Sequence, residues 1–148
     1  SPPLRSEDDR QAIVEGLADG TIDCIASDHF PQDQESKRLP FELAEFGSSG
    51  LESLLALTLE LVHNGHLSLP EALRKVTSAP SHLLGLPTGR LTAGAPADLV
   101  IFDPERPTRI EPDTFISKSK NSPFDGRLVQ GQVIRTVVDG RTIYTGNA

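Results

Sequence analysis

An aspartate and a histidine stand side by side at the end of a short apolar run. Residues 22–26 alternate as β-type residues and lead into Ser27, Asp28 and His29, after which Pro31 prevents a strand from continuing. A carboxylate and an imidazole at the C-terminal end of a strand are typical of the active site of a barrel or an open α/β sheet. An Asp-His turn can also simply end a strand, so spacing alone leaves both interpretations open.

The residues before this pair predict the element that positions it. Ser6 starts a capping box and predicts a helix over 6–18, which Asp19 and Gly20 end. The chain then enters the predicted strand 21–26, which is apolar on both faces except at Asp23, as in a parallel sheet covered by helices. Together the helix and the strand predict one αβ unit.

The residues after the pair predict a long loop and then more helix. The loop 31–49 is rich in charges, and loops of this length are usually functional or disordered. The apolar pattern predicts a buried helix over 50–64 and another from Ser68 to about Thr77. We expect residues 79–80 to break that helix and residues 81–84 to form a short further turn.

Beyond Pro87 the chain changes character, because Gly, Pro and Asp cluster between short β-type runs. These runs are 97–102, 108–110, 132–138 and 141–144. Asp139-Gly140 predicts a two-residue hairpin turn between the last two, because both turn residues need a positive φ. We therefore predict a helical α/β part over 1–86 and an all-β part over 87–148.

Composition excludes several classes of partner. Of the 148 residues, 36% are hydrophobic and 24% charged, and the formal net charge of -7 argues against nucleic acid and anionic membranes. No apolar run approaches the roughly 20 residues of a membrane span. Cys24 is the sole cysteine, so no internal disulfide can form, and we expect a buried thiol and a cytoplasmic protein. Since the chain contains no methionine, we expect it to be a fragment.

Five stretches resemble the C-terminal third of a type I dihydroorotase, in the amidohydrolase superfamily. They are SPPLRSEDDR (1–10), DGTIDCIASDHFP (19–31), LPF…FG…GLE (39–52), LGLPTGRLTAGAPADLVIFDP (84–104) and SKSKNSPFDG…G (117–131). The run GRLTAGAPADLVIFD is general to amidohydrolases and allantoinase-like enzymes. SPPLR and SDHFP are narrower and together favour dihydroorotase.

The resemblance implies a (β/α)8 barrel whose last strand is 21–26, joined to a small β-sandwich. The family binds zinc through an HxH pair, often a carboxylated lysine, two later histidines and an aspartate on the eighth strand. Only that aspartate falls in this chain, and it aligns with Asp28. In the family it ligates the metal, takes a proton from the attacking water and later protonates the leaving amide nitrogen. The resemblance thus implies that Asp28 is both a catalytic residue and a metal ligand.

Three further positions align with substrate-binding positions of the family. Ser1 replaces the asparagine of NPPLR, and Gln32 replaces a histidine that contacts the substrate carboxylate. Gln32 can donate hydrogen bonds but brings no positive charge to an anionic ligand. Gly47 lies in a region that lines the substrate pocket. We take His29 as a structural or supporting residue.

The resemblance implies a zinc-dependent cyclic amide hydrolase, most simply dihydroorotase, which interconverts dihydroorotate and N-carbamoyl-aspartate. Its partners would be a small-molecule substrate, the missing N-terminal part of the barrel, and either a further copy of itself or aspartate transcarbamoylase. One alternative is a non-catalytic, dihydroorotase-like scaffold for that transcarbamoylase. Another is a sister amidohydrolase of the allantoinase or dihydropyrimidinase kind. We expect the isolated fragment to be inactive, with strand 21–26 unpaired or paired to another molecule and 97–102 and 132–144 in a separate sheet.

Overall fold

A computed structural model describes residues 4–146, so the predicted substrate-binding residue Ser1 lies outside the described residues. Five helices come first along the chain, and an antiparallel sheet follows. The helices are α1 (Glu7–Asp19), α2 (Gln34–Lys37), α3 (Leu54–His63), α4 (Leu69–Val76) and α5 (Ser78–Leu83). The strands are β1 (Leu99–Arg109), β2 (Leu128–Val138) and β3 (Arg141–Thr145), with a 3-10 turn at Pro112–Thr114.

The beginnings of α1 and α4 are confirmed as predicted. Each helix starts with a capping box, in which a serine side chain accepts from a backbone amide and an acidic side chain accepts from the serine amide. The pairs are Ser6 with Asp9 and Ser68 with Glu71. Because two amide groups at each helix end find partners, both starts are fixed by local sequence.

The predicted break at residues 79–80 is wrong by two residues. The chain breaks at Thr77, whose φ of -129° and ψ of -86° end α4, and α5 then begins at Ser78. Pro80 therefore lies in the first turn of α5. A proline is tolerated there because the first amides of a helix have no partner within it.

The sheet has the order β1-β2-β3, with both pairs antiparallel. The predicted runs 97–102 and 132–144 indeed meet in this sheet. The predicted hairpin turn is confirmed by φ values of 49° at Asp139 and 74° at Gly140. The run 108–110, predicted separately from 97–102, largely belongs to the same strand β1, which shifts register between Ile101 and Phe102 and again between Asp103 and Pro107.

Residues 21–26, predicted as a strand, pair with no other strand in the part of the chain that the structure describes. Their hydrogen bonds go to helices: Ile22 N–H donates to Gly16 at 2.8 Å and Ile25 N–H donates to the Lys75 carbonyl at 3.0 Å. The Lys75 ammonium, on a residue that is 1% exposed, donates to the Ile22 carbonyl. Helices α1 and α4 therefore hold this segment in place of a neighbouring strand.

A small hydrophobic core joins the helices to the sheet. Ala56 of α3 packs with Ile110 and Val129, and partly buried Phe115 and Phe124 cover them. The predicted boundary near residue 86, between the helical part and the all-β part, stays a prediction. The hydrophobic core contains residues from both sides of it. Within residues 4–146, none of the helices combines the length and the apolarity that crossing a bilayer requires.

Candidate active site

Asp28 belongs to the segment 27–30, which directly follows residues 21–26 and which we call the Asp28 turn because of its left-handed residue. Its φ of 45° is in the left-handed region, which the short side chain of aspartate tolerates better than most. The residue is exposed, and none of the ion pairs among residues 4–146 involves it. The carboxylate is therefore available to a ligand, just after the residues that the sequence predicted as a strand.

Residues 47–51, which precede α3, hold this turn. Phe30 N–H donates to the Ser48 carbonyl at 3.0 Å, and His29 and Ser48 form an isolated parallel bridge. The Gly50 amide donates to Nδ1 of His29 at 3.1 Å. The Asp28 turn and the segment before α3 thus form one hydrogen-bonded unit.

Gly47, a predicted substrate-binding residue, sits where this unit is tightest. Its φ is 105°, and a side chain there would meet the Phe30 carbonyl oxygen and, at 2.7 Å, Phe30 Cδ1. Its own carbonyl accepts from Lys37 Nζ at 3.0 Å and from Asn121 Nδ2 at 3.1 Å. Packing alone therefore requires glycine at this position, and contact with a substrate stays a prediction.

Residues 117–121, which belong to one of the stretches that carry the family resemblance, anchor the same unit from the far side. Ser49 is fully buried; its amide donates to the Asn121 carbonyl at 2.8 Å and its hydroxyl to the Ser119 carbonyl at 2.9 Å. The Ser117 amide donates to Glu52 Oε1 at 2.8 Å. The signal available in the sequence was the serine-rich, lysine-containing run itself, which does not reveal its partner.

Gln32, the other predicted substrate-binding residue that the structure describes, lines a cavity of about 740 Å³ between the loop after Asp28 and residues 118–121. The charged groups in its wall are mostly cationic; they are Lys37, Arg38, Lys118 and Lys120, with Asp33 as the acidic member. Three of the four lysines of an acidic chain thus line one cavity. The backbone amide of Ser36, at the start of α2, lowers the pKa of Asp33 by hydrogen bonding.

The described residues do not make up a metal site on their own. Among residues 4–146, no group of three or more His, Cys, Asp or Glu side chains is placed to hold a metal ion. A catalytic zinc ion usually takes about three protein ligands. Asp28 could supply one of them, and the other donors among the described residues do not complete the set.

Comparison with known proteins places the chain among hydrolases. The model of the amidohydrolase family matches residues 2–143. A dihydroorotase from Wolbachia sp. subsp. Drosophila simulans (strain wRi) is 53% identical over 145 residues, which are 98% of this chain and 33% of that protein. A dihydroorotase from Anaplasma phagocytophilum (strain HZ) is 53% identical over 144 residues, or 97% of this chain and 32% of that protein. The chain spans about a third of the length of these curated relatives.

Solved structures give the same placement. L-hydantoinase (dihydropyrimidinase) from Arthrobacter aurescens superposes with a TM-score of 0.92 at 34% identity, covering 98% of this chain and 34% of that chain. Dihydropyrimidinase from Brevibacillus agri NCHU1002 also superposes with a TM-score of 0.92, at 27% identity, covering 98% of this chain and 33% of that chain.

Proposed function

The chain belongs to the amidohydrolase family, and we propose that it forms part of a zinc-dependent dihydroorotase. Its fold is that of the C-terminal part of a (β/α)8 amidohydrolase barrel with part of a small β-sandwich. The reaction would be the reversible addition of water to dihydroorotate, which opens the ring to N-carbamoyl-aspartate. By the full-length protein we mean a polypeptide of the relatives' length that contains residues 1–148; the additional residues would complete the barrel.

The observation that carries this proposal is the placement of Asp28. Its carboxylate is exposed on a turn held by backbone hydrogen bonds, just after residues 21–26, which we propose to be the last barrel strand. We propose that Asp28 takes the proton from the attacking water and returns it to the leaving amide nitrogen. It would also donate one oxygen to the zinc ion, whose other ligands would come from the rest of the full-length protein.

The substrate's charge suits the cavity beside Gln32. Dihydroorotate carries a carboxylate, and the four cationic side chains of this cavity favour an anion over a neutral ring. Gln32 and Gly47 would supply hydrogen bonds from the mouth of the site, together with Ser1. The single cysteine, Cys24, accords with the cytoplasmic location that we propose.

A second candidate function is that of a sister enzyme acting on neutral cyclic amides. The superposition on L-hydantoinase (dihydropyrimidinase) from Arthrobacter aurescens favours it, because this pair shares 34% identity as well as the fold. Dihydrouracil and hydantoin lack the carboxylate of dihydroorotate, so charge distinguishes the two candidates.

The deciding experiment assays the full-length protein with dihydroorotate, dihydrouracil, hydantoin and allantoin, alongside zinc analysis. We expect dihydroorotate to give the highest kcat/KM. We also expect Lys118→Glu to raise KM for dihydroorotate several-fold through lost attraction, with Arg141→Glu on β3 as the matched control. Preference for a neutral ring would favour the sister enzyme. Absence of both zinc and turnover would favour a scaffold subunit, for instance for aspartate transcarbamoylase.

A further inference from the structure

His29 makes an unusual contact for a residue next to a candidate catalytic aspartate. Its Nδ1 atom accepts hydrogen bonds from two backbone amides, that of Gly50 at 3.1 Å and that of Leu51 at 3.4 Å. A ring nitrogen that accepts carries no proton, so the proton of the imidazole is on Nε2. The side chain therefore acts as a neutral acceptor that joins the turn to the segment before α3.

The geometry around this contact shows why an acceptor is needed. Gly50 is buried, and a side chain on it would lie 2.7 Å from the Ser27 carbonyl oxygen. The two segments therefore approach at backbone distance, with little room for water at the Gly50 amide. A buried amide without an acceptor costs free energy, and Nδ1 of His29 is the acceptor that the structure provides.

The two segments lie close together on both sides of the contact. Ser27 packs closely against Gly50 before Asp28, and the Phe30 amide donates to the Ser48 carbonyl after it. In the sequence, His29 lies between Ser27 and Phe30. With the turn hydrogen-bonded at His29 and Phe30 and closely packed at Ser27, the Cα–Cβ direction of Asp28 has little freedom.

We propose that His29 is a positioning residue that sets the direction of the Asp28 carboxylate through its Nδ1 acceptor. The inference rests on the proposed role of Asp28 as ligand and base. It assigns to His29 no contact with the substrate. This positioning role depends on the Nδ1 acceptor and not on the rest of the imidazole. A shorter side chain with an acceptor at the same place should therefore replace histidine.

Two variants separate the acceptor from the rest of the ring. The Oδ1 atom of asparagine can occupy the place of Nδ1, whereas the amide group of glutamine extends to the place of Nε2. We expect His29→Asn in the full-length protein to keep kcat and zinc content near those of the wild type. We expect His29→Gln to lower kcat of the zinc-loaded protein about 10- to 100-fold, the usual size for a lost supporting contact at a metal site, with KM little changed.

Comparing the two variants also distinguishes a positioning histidine from a purely structural one. If His29 were purely structural, replacing it would lower the yield of folded protein in both variants and leave kcat per zinc-loaded molecule unchanged. Wild-type kcat in zinc-loaded His29→Gln overturns the proposal, as does a loss in His29→Asn equal to that in His29→Gln.

Amide exchange and nitrogen-15 spectra keep the test separate from the proposed function. If the wild type hydrolyses no cyclic amide, the proposed function fails, and the contact is then judged by these two measurements. We expect an unprotonated Nδ1 at His29 and a Gly50 amide that exchanges slowly in the wild type and in His29→Asn. A protonated Nδ1, or a Gly50 amide that exchanges as fast as a solvent-exposed one, overturns the proposal even if His29→Gln does not fold.

Discussion

At the scale of single residues, the backbone of Asp28 decides where its carboxylate can go. The φ of Asp28 is left-handed at 45°, just after residues 21–26, and its side chain is exposed. A second residue, Lys75, acts on the same segment: its ammonium donates to the Ile22 carbonyl, and its own carbonyl accepts from Ile25. A buried lysine normally needs such partners, and here they tie α4 to the segment that leads into Asp28.

Replacing Asp28 tests the proposed chemistry most directly. We expect Asp28→Asn to lower kcat of the full-length protein by roughly 10² to 10⁴, because asparagine cannot take up the proton of the attacking water. The fold should be kept, since the side chain is exposed and the turn tolerates asparagine. Steady-state kinetics and circular dichroism measure the two effects. Near-normal turnover would remove Asp28 from the mechanism.

The end of the predicted strand before Asp28 could be read from local sequence, because a short apolar run, an acidic residue and a proline follow one another; the role proposed for Asp28 rests on the family resemblance. The partners of the turn could not be found in this way. His29 and Gly50 are 21 positions apart, and Lys75 and Ile22 are 53 apart. Contacts between such distant positions depend on how helices pack, and a single sequence carries no periodic signal for them.

At the scale of elements, the segment before α3 is the junction of the site. It bonds to the Asp28 turn on one side and to residues 117–121 on the other. Residues 117–121 lie between β1 and β2, so the all-β part supports the turn through this junction. The geometry of the candidate active site therefore depends on both predicted parts of the chain.

Gly47 in that junction provides a test of the tight packing. We expect Gly47→Ala to reduce the free energy of unfolding by about 1–3 kcal/mol through backbone strain, and further through overlap with Phe30. Gly20→Ala is the matched control, because Gly20 has a φ of 88° with nothing within 4 Å of an added side chain. Urea unfolding of the full-length protein compares them, and equal losses would show that the Phe30 contact does not matter.

The capping box of α4 predicts that the stability of the fold depends on pH. Hydrogen bonds from the side chain and then the backbone of Ser68 lower the pKa of Glu71 below its ordinary 4.5. Since the folded pKa is the lower one, ionised Glu71 stabilises the fold at pH values above 4.5, and this contribution disappears as the pH falls through the folded pKa.

We therefore expect Glu71→Gln to be less stable than the wild type at pH 7, with a difference that shrinks below pH 4.5. The midpoint of thermal unfolding, measured from pH 7 downward, reports it. Glu42→Gln, at an exposed position outside any helix, is the control. A constant difference at all pH values would mean that the charge of Glu71 contributes nothing.

The elements themselves could be predicted to different degrees. Helices α1 and α4 begin where their serine caps stand, and the β2–β3 turn follows from Asp139-Gly140, because these signals are local. The segment 21–26 has the composition of a strand but lacks a strand beside it within residues 4–146, and a ladder needs two partners. The extent of β1 was missed because its register shifts interrupt the alternating pattern.

At the scale of the whole molecule, the side chains between α1 and α3 are only partly covered. A cavity of about 390 Å³ opens there, and its wall is largely apolar; among its residues are Ile13, Leu17, Ile25, Leu54, Leu57 and Leu61. Cys24 belongs to the same wall and is half-buried, less than expected from the sequence. In a barrel, the side chains of such a strand and helix pack against neighbouring strands and helices. The partly covered apolar cavity accords with a barrel in which further residues pack against α1 and α3.

The incomplete ligand set leads to a prediction for zinc. We expect residues 1–148 alone to bind zinc weakly and without a defined stoichiometry, because one aligned carboxylate cannot replace about three protein ligands. The full-length protein should hold zinc after dialysis, and Asp28→Asn should weaken that binding while leaving the weak binding of residues 1–148 unchanged. Metal analysis after gel filtration measures all four samples. Tight, stoichiometric zinc in residues 1–148 alone would contradict the proposal. It would mean that groups of this chain form a complete zinc site without ligands from the rest of the barrel.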